Sequence, residues 1–176
     1  MTDLEIFQVL RPIIMSVTNV NECILGDPNE IAPDGLYAAV RVTQSASIRG
    51  AAQHNRSYNG ATERTITDTL KKQMMATASV NFYRDGAIYA ARQLAGCNYR
   101  SDVSSQLFQA GIGWRGTQAI NNLSGLMAGD VEERAQISID LMYEQTDEIT
   151  YNAIERFKFI AENESGDEIT EIDINT

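Results

Sequence analysis

The chain has 176 residues, 43% hydrophobic and 22% charged, with a formal net charge of -10 at neutral pH. That length fits one domain around one core, and that apolar share excludes general disorder. Two cysteines far apart in the chain, Cys23 and Cys97, exclude a CxxC redox pair or a thiolate metal cluster within one chain, and are expected as reduced, buried thiols.

Residues 3–18 carry Ile6, Leu10, Ile13 and Val17 at helical spacing, which predicts an amphipathic helix that Pro12 kinks or delays. Asp3 and Glu5 precede the first arginine and no apolar run approaches bilayer length. The expectation is a chain that stays in an aqueous, reducing compartment with no membrane partner. GDPNEIAPDG, residues 26–35, is a loop with strong turn chemistry.

A strand follows over 36–45, with Leu36, Ala38, Val40 and Val42 on one face and Tyr37, Arg41 and Thr43 on the other. A second covers 74–83, with Met74, Ala76, Ala78, Val80 and Phe82 inward. Residues 46–70 between them hold few large apolar side chains, and a compact domain seldom carries so long an irregular connection without a use for it. An extended arm or long hairpin that projects from the body is expected there.

Residues 84–96 predict a helix capped by Asp85 and closed by Gly96, and 102–109 a shorter one with Val103 and Leu107 inward. Residues 110–128 are a loop or a short edge strand. Within them GIGWRG, residues 111–116, is a literal GxGxxG, but a dinucleotide site needs a buried strand before it and a helix after it. Neither is predicted, so the segment reads as glycine-rich loop and no cofactor is expected.

Residues 134–144 alternate strictly, with Ala135, Ile137, Ile139, Leu141 and Tyr143 inward. AIERFKFIA, 153–161, is expected as a fourth strand joined to it by a short antiparallel turn, EQTDEIT. The remainder, 162–176, has six acidic groups and little to bury, so it reads as an acidic tail that orders only against a partner. One α+β domain over 1–161 results: an antiparallel sheet of four or more strands covered by helices on one face, with an arm at about 46–70.

Charge is uneven along the chain. From Arg41 to Lys72 there are six basic residues (Arg41, Arg49, Arg56, Arg64, Lys71, Lys72) against Glu63 and Asp68. From Asp130 onward there are fourteen acidic residues against Arg134, Arg156 and Lys158. His54 is the one histidine and reads as a solvated arm residue; no nucleophile, base or metal cluster stands out, so no enzyme is expected. The basic 41–72 segment leaves a nucleic-acid-binding module as the alternative, though it has one aromatic, Tyr58, and no recognisable motif.

APDGLYAAVRV (32–42), SVNFYRDGAIYAARQL (79–94) and EERAQISIDLMYE (132–144), in that order, resemble the tail or neck terminator-like proteins of tailed bacteriophages over roughly residues 4–160. The resemblance implies a structural virion protein of the head-to-tail junction, made in the host cytoplasm. It further implies a ring, usually hexameric, between connector and tail tube, through which DNA passes without specific binding.

On that reading Arg49, Arg56, Tyr58, Arg64, Lys71 and Lys72 of the arm are candidates for the contact between copies. Asp130, Glu132, Glu133, Asp140 and Glu144 are candidates for a channel-facing or ring-facing acidic surface, which would repel phosphates.

Overall fold

A computed structural model describes residues 1–26, 31–60, 64–127, 130–154, 156–162, 165 and 168–175, with backbone alone for 127, 130, 156–162 and 168–175. The chain forms two compact units, one of residues 1–51 with 72–145 and one of 52–71 with 146–176.

The first unit begins with helix α1, Asp3–Thr18, started by a reciprocal cap: the Thr2 hydroxyl accepts from Glu5 N and the Glu5 carboxylate from Thr2 N. Pro12 sits inside this helix and does not delay its start. The carbonyl its ring leaves without an N–H partner belongs to Gln8, an exposed residue. Strand β1 (Glu22–Leu25) runs parallel to β2 (Tyr37–Ile48), and β2 is antiparallel to β4 (Thr65–Tyr83). The sheet order is β1-β2-β4-β9-β5, where β9 is Arg134–Asn152 and β5 is Ile112–Thr117.

Helices α2 (Ala87–Ala95) and α3 (Ser101–Gln109) join α1 in a core with the inward residues of the strands. The inward alternation is as expected: Ala38, Val40, Met74, Ala76, Ala78, Val80, Phe82, Ala135, Ile137, Ile139, Leu141 and Tyr143 are all buried. Helix α2 turns Ala87, Ala90, Ala91 and Leu94 into this core. Each large aliphatic side chain removed from water there stabilises by about 1.5–3 kcal/mol.

Three expectations need correction. Residues 112–116 of GIGWRG lie in β5, an edge strand paired to β9, and not in a glycine-rich loop. Residues 144–150, read as a turn, continue β9; Thr146, Ile149, Thr150 and Tyr151 suit a strand, and main-chain pairing outweighs the acidic residues among them. Strand β10 (Arg156–Glu162) therefore does not neighbour β9; it pairs antiparallel with β11 (Glu168–Asn175), in the stretch read as a tail.

In the second unit, β3 (Gln53–Tyr58) pairs antiparallel with residues 66–71 of β4, which makes the hairpin expected within 46–70. Its register sets Arg56 beside Asp68 and Tyr58 beside Ile66, with Lys71 opposite Gln53. The short strand β6 (Asn121–Asn122) pairs with β9, and β7 (Gly125–Met127) pairs with β8 (Asp130–Glu132), both in the first unit.

Cys23 and Cys97 are free and buried, and burial pushes the first thiol up to about 12 and the second up to about 11. Alkylation of the folded chain near neutral pH should then be roughly 100-fold or more slower than after denaturation, with Cys97 reacting first. Mass spectrometry of labelled peptides would show it, and labelling of either thiol at the denatured rate would contradict the burial.

Candidate functional site

One face of the first unit's sheet carries the core; the other presents polar side chains in rows. On β9 these are Arg134, Gln136, Ser138, Asp140 and Met142, all half-buried. Facing them on β4 are Tyr83, Asn81, Ser79, Thr77 and Met75. The strands run in opposite senses, because Arg134 bonds Asn81 (3.4 Å), Gln136 bonds the Ser79 hydroxyl (2.9 Å) and the Thr77 hydroxyl donates to Asp140 (2.9 Å).

At one end of this face Tyr37 and Tyr83 stack with ring centroids 4.8 Å apart. Arg84 lies over Tyr37 at 5.7 Å and Arg134 over Tyr83 at 4.7 Å, so each ring of the pair meets a guanidinium. Burial pushes the Tyr37 hydroxyl above its ordinary range, with Tyr83 and Glu132 adding to the shift and the two arginines opposing it.

The other end is built on methionine. Arg49 Nη1 is 3.0 Å from Met142 Sδ, and Arg115 Nη1 is 4.0 Å from Met75 Sδ. The Thr77–Asp140 bond places Met75 beside Met142 across the β4–β9 boundary. Arg49 follows β2 and reaches across β4, while Arg115 reaches across β9 from the opposite side. Two guanidiniums therefore converge over adjacent thioethers.

The expected acidic residues are distributed among different tasks. Glu133 is a helix cap: its carboxylate accepts from Gly86 N and Ile88 N, each at 2.9 Å, and its carbonyl accepts from Arg84 N at 2.8 Å. Asp85, the expected cap, makes no such bond, because Gly86 holds the cap position with φ 91°. No local signal marks a cap that arrives from 47 residues away.

Asp140 is bonded to Thr77 on the open face, and alternation places exposed Glu144 there too. Glu132 lines a cleft of about 540 Å³ with Gly35, Leu36, Arg84, Asp85, Val131 and Glu133. The Asp130 side chain lies outside the described residues. Four guanidiniums, of Arg41, Arg49, Arg115 and Arg134, share the open face with Asp140 and Glu144.

The basic candidates are split as well. Arg49 and Lys72 belong to the first unit, while Arg56, Tyr58, Arg64 and Lys71 belong to the second. Arg56 Nε lies 3.3 Å and His54 Nδ1 3.4 Å from the same Asp68 oxygen. Burial alone would raise Asp68, but the hydrogen bonds from Arg56 and His54 hold it below the ordinary carboxylate range. Arg64 has its backbone in the left-handed region, φ 51°, and Tyr58 is half-exposed at the end of β3. No described helix is long and apolar enough to cross a membrane.

A sequence model of the family described as phage neck terminator protein matches residues 4–169. The chain belongs to that family. The likeness carried by residues 32–42, 79–94 and 132–144 is thereby borne out, and no curated protein matches the chain. A neck terminator is a structural protein of the virion, set at the head-to-tail junction among other neck and tail proteins.

Its family is structural rather than catalytic. In this neck terminator the cleft residues serve the fold: Arg84 pairs with Asp34 at 3.8 Å and Glu133 holds the first turn of α2.

Proposed function

We propose that this neck terminator closes into a ring, usually six-fold in such assemblies, that joins the connector to the tail and leaves a channel for DNA. The single observation that carries the reading is the family match over residues 4–169. Supporting it, β1 and β5 are the two ends of the main sheet order, and edge strands are ready templates for contacts with other chains. A contact between two different patches of the same molecule generates a ring when its rotation closes.

The residues of the hairpin, Arg56, Tyr58, Arg64 and Lys71, with Arg49 and Lys72 of the first unit, take part in contacts between copies. DNA passes without being gripped, because a chain of net charge -10 repels phosphates over a screening length of about 8 Å at physiological salt. Assembly takes place in the host cytoplasm before the chain is fixed in the particle.

Electron microscopy of intact particles with the chain labelled tests the reading. The expected result is a closed ring of label at the junction of head and tail. Label elsewhere in the particle, or a single copy at the neck, overturns it.

A further inference from the structure

Arg11, Arg56, Arg84 and Arg100 each pair with a carboxylate. Arg49 and Arg115 are exposed, and each is held by a methionine sulfur instead of a carboxylate. A thioether is a weak acceptor that leaves most of a guanidinium's five donors uncommitted. Two such groups converging from opposite sides of one sheet face make a fork suited to carboxylate oxygens.

The same chain supplies the complementary chemistry. Residues 162–173, ENESGDEITEID, hold six acidic residues and no basic one. We propose that the Arg49–Arg115 fork on the open sheet face of one copy binds carboxylates of the acidic 162–173 segment of a second copy. This rests on the reading of the chain as one that joins its own copies, and it names the surfaces that meet. The contact is heterologous, sheet face to C-terminal segment, which is the kind that builds rings. Duplex DNA is the competing occupant, and the test below separates the two.

A charge swap on full-length chains decides it. One variant carries Arg49→Glu with Arg115→Glu; the other carries Glu164→Lys, Glu168→Lys and Glu171→Lys. Self-association is followed by sedimentation at low salt, with the thermal transition of each variant as the check on folding. Each variant alone should associate at least about tenfold more weakly than wild type. An equimolar mixture should regain wild-type association, because each reversed surface then meets its reversed partner. Arg49→Gln with Arg115→Gln gives a milder form of the same loss.

Wild-type association by either variant alone overturns the contact. So does a mixture no stronger than its components, whether or not the wild-type chain associates. Duplex DNA bound by wild type and lost by the arginine variant, with self-association intact, overturns it in favour of phosphates. A labelled ring at the neck of particles built with the arginine variant would sink this contact and leave the ring reading standing; the absence of any such ring from wild-type particles would remove the reading beneath it.

Discussion

Phe82→Ala is expected to destabilise the first unit by about 3–5 kcal/mol and lower its thermal transition by roughly 10 °C. Phe82 is fully buried in β4, among the inward rows of the sheet and the three helices above it. Truncation removes the transfer free energy of the ring and leaves a cavity that β4, held between β2 and β9, cannot close by collapse. The polar face is built on the other side of the same strand, so the fork of Arg49 and Arg115 should lose its geometry along with the core. Calorimetry of purified variant and wild type measures the effect, and a shift of only one or two degrees would mean that the core does not pack as described.

Glu133→Ala is expected to cost about 2 kcal/mol, by a different route. Two main-chain N–H groups in the first turn of α2 lose their acceptor, and the helix loses a negative charge at its positive end. Glu133→Gln keeps one carbonyl oxygen as acceptor and should recover about half of the loss. Hydrogen exchange discriminates this from a general weakening: amides Gly86 and Ile88 should exchange faster in the alanine variant while those in the middle of β4 change little. Unchanged protection at both amides would show that Glu133 does not cap the helix.

Residues governed by periodicity are legible in the sequence. The inward rows of β4 and β9 follow from strict alternation, and α1 and α3 from apolar residues at helical spacing. Where alternation fades, after Tyr143, composition misled: acidic residues suggested a turn, whereas the backbone runs on to Asn152. The candidate site was legible in its residue types and not in their grouping. The charge of Arg49 is legible in the sequence, yet its position over Met142 depends on which strand lies beside β4. Nothing local marks Arg115, because it sits inside a glycine-rich segment whose pairing with β9 is a long-range fact. Glu133 was read as surface charge because a carboxylate and the helix start it caps are far apart in sequence.

The sequence by itself determined the α+β class, the faces of the principal strands, the buried thiols and the family, since each depends on local spacing or on residue order. Tertiary structure alone decided the strand order, the cap on α2 and the meeting of two arginines above two methionines. The physical reason is that side-chain period is set by neighbours two to four residues away, whereas pairing across a sheet joins residues separated by dozens of positions, and many such pairings are compatible with the same alternation.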